Sequence, residues 1–137
     1  MSRTGGEPPS LIRVPNRELA SRLGSETARA AQTLGSGQVA VIGPEPQLTA
    51  LAEAIRVHVP AVSWGPKVDL EQKVVVLGAT QSKGLEFDSV LVVDPGSLVT
   101  ASPRGLNDLY VALTRSSQRL TVLCLEEVPE LLAGLSA

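Results

Sequence analysis

The residues best placed to do chemistry lie in one glycine-punctuated stretch and in one apolar stretch that ends on arginine. Gly78-Ala-Thr-Gln-Ser-Lys83-Gly84-Leu85 follows a strongly apolar run, as a phosphate-cradling loop does. A Walker A loop requires G-x-x-x-x-G-K-[ST], with glycine before the lysine and a hydroxyl after it to hold magnesium. Here the lysine precedes the glycine and Leu85 comes next, so that chemistry is excluded. Gly35-Ser-Gly37-Gln-Val-Ala40 superficially fits G-x-G-x-x-A, but it leads into a strand instead of opening a helix, and no dinucleotide site follows. There remain Lys83, Gly84 and Glu86, and Arg115 at the end of Leu109-Tyr-Val-Ala-Leu-Thr-Arg115. A guanidinium is always charged and grips phosphate oxygens in a fork, whereas an ionised carboxylate can only accept hydrogen bonds. Each also has a plain reading: Arg115 and Glu86 as solvated charges, Gly84 as a turn, and Lys83 paired with Asp88 instead of a phosphate.

The other titratable residues carry little. His58 closes an amphipathic stretch without a second His or Cys cluster and reads as a surface cap, and Cys124, in an apolar run, reads as a small buried hydrophobe. No Ser-His-Asp or paired-carboxylate constellation and no metal site is expected.

The elements that must position these residues alternate in type. Residues 1–14, with Gly5, Gly6, Pro8 and Pro9, read as a linker or irregular lead-in. Asn16 is a candidate N-cap for a helix that carries Leu19, Leu23, Ala30, Ala31 and Leu34 and stops at Gly35 and Gly37; Gly24 interrupts it. Strands are predicted at 38–43, 61–64, 74–79, 89–94 and 119–125, with a helix at 47–58, a turn at Pro95-Gly96, a helix at 103–116 opened by Ser102-Pro103, and a closing helix at 128–135. Continuously apolar strands alternating with helices predict an α/β fold with a mostly parallel sheet covered on both faces. At about 100° per residue, Leu106, Leu109, Tyr110 and Leu113 share one arc of the 103–116 helix, and Arg115 points away from it. Phe87 is assigned to the core.

Composition sets the outer bounds. The chain has 137 residues, enough for about one domain. Its 12 Lys and Arg against 14 Asp and Glu give a net charge of −2, which excludes a net basic domain and leaves only a local patch for nucleic acid. A 43% apolar content with Trp64, Phe87 and Tyr110 as its aromatics describes a globular core of aliphatic residues. A lone cysteine fits a reducing compartment, and no apolar run approaches the ~20 residues of a membrane helix, so a soluble, cytoplasmic protein without a membrane partner is expected.

Lys83-Gly84-Leu85-Glu86-Phe87-Asp88 between two apolar strands, followed by Leu109 to Arg115 on a helix, resembles motifs V and VI of superfamily 1 helicases of the UvrD/Rep type. The likeness covers residues 70–125; the first 70 agree in element pattern alone. It implies a three-layer RecA-like (P-loop NTPase-like) domain over residues 15–137, the C-terminal part of a larger protein. ATP with Mg2+ would lie in the cleft against an N-terminal RecA-like domain that carries the Walker A lysine, the acidic magnesium motif and hence the magnesium ligands. The resemblance implies that Arg115 is the arginine finger at the γ-phosphate, that Glu86 accepts from the ATP ribose, and that Gly84 and Lys83 border the nucleotide.

Many relatives read T-x-H-x-x-K-G-L-E-F, where this chain has Gly78 and Thr80 in place of Thr and His, so the histidine that in the family couples the ATP cleft to the bound strand is missing here. Thr80 and Ser82 are the remaining hydroxyls for a nucleic-acid backbone. Val93-Asp94-Pro95 and the tract from Ser102-Pro103-Arg104-Gly105 look closest to the HelD-like branch, whose members act on bacterial RNA polymerase. The expected function is therefore half of an ATP-dependent DNA helicase or translocase, inactive alone, acting on single-stranded DNA. The alternative is an ATP-switched RNA polymerase-binding remodelling factor with little unwinding, and a vestigial partner-binding domain is a third reading.

Overall fold

Val39-Ala-Val-Ile42, Val74-Val-Val-Leu77 and Val90-Leu-Val-Val93 are apolar at every position, and each of these side chains is buried. Such strands need cover on both faces, and they receive it. The computed structural model describes residues 9–100 and 103–126. Its order is β1 (Ser10–Val14), α1 (Leu19–Leu34), β2 (Val39–Ile42), α2 (Leu48–Arg56), β3 (Val62–Trp64), β4 (Val74–Leu77), α3 (Ala79–Ser82), β5 (Phe87–Val93), α4 (Pro95–Thr100), α5 (Gly105–Leu113) and β6 (Ser116–Leu125). The strands form one sheet in the order β1-β6-β5-β2-β4-β3, with every pair parallel. Alternate strand residues feed two cores. Val39, Val41, Val74, Val76, Leu91 and Val93 meet α1 and α2, while Ala40, Ile42, Val75, Leu77, Val90 and Val92 meet α3, α4 and α5. The architecture is the expected three-layer, RecA-like α/β sandwich.

Several boundaries differ from the sequence reading. Ser10–Val14 is not lead-in: it pairs along β6 from Ser10 opposite Thr121 to Val14 opposite Leu125 and makes one edge of the sheet. Asn16 does not cap α1, because the chain first makes a single 3-10 turn at Asn16–Glu18. Gly24 lies where α1 meets α2, and a Cβ there would collide with the ring of His58, so the glycine admits a close helix crossing at the cost of helix propensity. Cys124 is half-buried instead of buried, and burial raises its thiol pKa. The expected helix at 128–135 lies outside the described residues.

The largest departures flank β5. The turn at Pro95-Gly96 is the first turn of α4: Asp94, held at φ 54°, caps it by accepting from the Ser97 N–H at 3.3 Å, and Pro95 takes the position where a missing N–H costs nothing. α5 then starts at Gly105 and stops at Leu113, short of Arg115. Gly105 and Ala112 are its buried residues, with Leu109 and Leu113 partly covered, whereas Leu106 and Tyr110 are 66% and 67% exposed. The apolar arc is wider than the sheet can cover, and the close approach of Gly105 to α4 decides which part turns inward.

Candidate nucleotide-facing site

The nine residues 78–86 carry the chain from the carboxyl end of β4 to the amino end of β5, which lies beyond β2 in the sheet. The two ends of this crossover carry different candidates. At its start, Ala79–Ser82 form the single-turn α3, closed where the Gln81 side chain accepts from the Gly78 N–H at 3.1 Å and donates to the Gly65 carbonyl at 3.1 Å. Thr80 is exposed there. Ser82 is fully buried and its hydroxyl donates to the Ala79 carbonyl at 2.7 Å, so it does not offer that hydroxyl to a phosphate backbone. The Glu45 carboxylate occupies the place a Cβ at Gly78 would take.

At its end, the crossover turns through Lys83 and Gly84, both exposed. Gly84 has φ 79°, a left-handed conformation that glycine adopts without a Cβ penalty. Nothing stands within 4 Å of the missing Cβ, so Gly84→Ala meets only the conformational cost. That substitution is expected to destabilise the fold by about 1 kcal/mol. A thermal melt unchanged between the two proteins would show that the turn does not need this geometry.

Phe87 enters the core as assigned, 5% exposed, and pairs with Ser116 at the start of β6. Glu86 and Arg115 therefore each stand one residue before a paired position, at the amino ends of the neighbouring strands β5 and β6. Cross-links hold this corner. The Phe87 N–H donates to the Arg115 carbonyl at 2.9 Å, and the Ser117 hydroxyl donates to the Phe87 carbonyl at 3.3 Å. The half-buried Arg115 guanidinium donates from Nε to the Val111 carbonyl at 3.0 Å, from Nη1 to the Leu85 carbonyl at 3.3 Å, and from Nη2 to the Thr114 hydroxyl at 3.1 Å. Three of its five N–H donors are thus engaged on its own chain. Arg115 folds back onto the crossover, where the helical reading had it pointing away.

The Glu86 side chain is exposed and has no hydrogen-bond partner among the described residues; the same holds for the Lys83 side chain, whose backbone N–H donates to the Thr80 carbonyl at 3.3 Å. Asp88, the other partner considered for Lys83, is engaged elsewhere: its carboxylate accepts from the Gln38 N–H at 2.8 Å and from Gln118 Nε2 at 3.2 Å. The structure so brings Lys83, Gly84, Glu86 and Arg115 to one corner, with Thr80 and Ser82 on the α3 turn that leads into it. An α/β domain that binds its own nucleotide does so at the carboxyl ends of its strands. This corner lies at the other end of the sheet, at the amino ends of β5 and β6. Among the described residues no three His, Cys, Asp or Glu side chains are grouped to hold a metal, and no helix is long and apolar enough to cross a membrane.

The family model of the UvrD-like helicase C-terminal domain matches residues 73–123, from the start of β4 to the middle of β6. Among solved structures, the chain is similar to the C-terminal domain of a possible DNA helicase from Lactobacillus plantarum WCFS1, with a TM-score of 0.73 at 23% identity over 93% of this chain and 80% of that one. No curated protein matches the chain.

Proposed function

We propose that this chain, whose residues 73–123 form the matched segment of a UvrD-like helicase C-terminal domain, supplies one wall of an ATP site completed by an N-terminal RecA-like domain. The observation that carries the reading is the shared corner of Glu86 and Arg115: among the described residues the exposed Glu86 carboxylate has no partner, and the Arg115 guanidinium, held on the Leu85 carbonyl, has donors to spare. These residues fit ATP. Glu86 accepts from the ribose hydroxyls, the open turn at Gly84 lets the backbone approach, and Lys83 stands free to meet a phosphate. Arg115 exchanges its Leu85 and Val111 carbonyl partners for phosphate oxygens when the two domains close, and stabilises the charge that develops as the terminal phosphoryl leaves. Magnesium, whose ligands are expected on the partner domain, would supply charge neutralisation at the phosphates. Closure on ATP and reopening after hydrolysis drive movement along single-stranded DNA.

A second reading, an ATP-switched factor that remodels RNA polymerase, draws support from the start of the crossover, at Gly78 and the α3 turn. Ser82 is turned inward, and the Glu45 carboxylate lies against Gly78, so the stretch that would track a strand presents a negative charge and a single free hydroxyl, on Thr80. Measuring ATP turnover of the protein that joins this chain to its N-terminal domain, with single-stranded DNA and with RNA polymerase as separate additions, separates the two. Stimulation by DNA supports the helicase reading; stimulation by polymerase alone replaces it with the second. The chain by itself is expected to turn over no ATP.

A further inference from the structure

The geometry points to Asp88 as the positioning residue that aims Glu86 at the ribose, an inference that rests on the ATP-site reading above. Glu86 lies in the last loop position before β5 and has no side-chain anchor of its own among the described residues. Its direction is set by where the chain enters β5. Asp88, two residues on, fixes that point to both neighbouring strands. One carboxylate oxygen accepts from the Gln38 N–H at 2.8 Å, just before β2, and the other accepts from Gln118 Nε2 at 3.2 Å on β6.

Three further features serve this anchor. Phe87 pairs with Ser116 and Ser89 with Arg119, so β6 carries one more residue than β5 across this interval, and the irregularity brings Gln118 alongside Asp88. A Cβ at Gly37 would come within 3.2 Å of an Asp88 oxygen, so glycine there lets the carboxylate reach the backbone at Gln38. Gln38 is itself tied down, its side chain donating to the carbonyls of Leu70 and Gln72 and its own carbonyl accepting from the Ser89 N–H at 3.2 Å. Asp88 thus links the nucleotide-facing loop to the ground before β2 and β4, without reaching the nucleotide.

The test compares binding of ATP and of 2′,3′-dideoxy-ATP to the intact two-domain protein by calorimetric titration, alongside thermal melts. A charged acceptor on the ribose predicts about tenfold tighter binding of ATP in the unaltered protein. Glu86→Ala should bring the ratio to about one, and Asp88→Ala should do the same with Glu86 intact, the double variant showing no further change. Asp88→Asn, whose amide can still accept from Gln38 and pair with a turned Gln118 amide, should restore most of the ratio. If Asp88→Ala melts too early to titrate, Gln118→Ala removes one of the two anchors from an exposed position and should give an intermediate ratio. A full ratio in Asp88→Ala, or in Gln118→Ala where that variant must stand in, overturns the positioning role while leaving the site reading intact. A ratio of one in the unaltered protein overturns both.

Discussion

Arg115→Ala is expected to lower ATP turnover of the two-domain protein by about a thousandfold while nucleotide affinity changes far less. A finger of this kind acts on charge that builds up during transfer, so its removal costs rate, with typical losses of ~10³ to 10⁵. Arg115→Lys should recover little, because an ammonium is a point charge without the planar fork. In the chain alone, the change removes donors from the Leu85 and Val111 carbonyls at a half-exposed site, and a stability loss of about 1 kcal/mol or less follows. Single-turnover hydrolysis together with a thermal melt checks both parts. Turnover within about threefold of the unaltered protein would remove Arg115 from the mechanism.

Gly105→Ala carries the largest structural effect. Alanine in a helix is normally favourable, yet a Cβ at this position would overlap the carbonyl groups of Val99 and Leu98. Those are backbone atoms of α4, so no side chain can swing aside, and α5 must move as a unit. Overpacking of this kind costs about 1–3 kcal/mol, at the upper end where backbone must give. Because α5 leads straight to Arg115, the displacement should also weaken catalysis. A melting temperature lowered by roughly 5–10 °C is expected. An unchanged melt would show that α4 and α5 are not locked together here. Gly78→Ala provides the contrast, since what it meets is the carboxylate of the exposed Glu45, which can rotate away.

The same residues separate what is legible in the sequence from what is not. β2, β4 and β5 were legible because a parallel sheet buried on both faces demands unbroken apolar runs. β1 was not, since Ser10-Leu-Ile-Arg-Val14 is half-exposed at an edge and its partner β6 is far away in sequence. α4 was hidden because Asp94-Pro95-Gly96 reads as a turn until the Asp94 cap is seen. The inward face of α5 depended on Gly105, and apolar periodicity gives no weight to a glycine. Lys83, Gly84, Glu86 and Arg115 could be named from their motifs, but their meeting at one corner follows from the register of β5 against β6. The burial of Ser82 is not legible for the converse reason: its neighbours do not reveal that one turn of helix covers it.

In the proposed site the amino-end corner of this chain faces the ribose of an ATP held by a second domain. Photolabelling the intact protein with 2′(3′)-O-(4-benzoylbenzoyl)-ATP, followed by peptide mapping, tests it directly. Label is expected within residues 83–88, competed by ATP and absent when the chain is labelled without its N-terminal partner. Label confined to the partner domain, or found on this chain at the carboxyl ends of its strands around Gly43, Gly78 and Asp94, would contradict it.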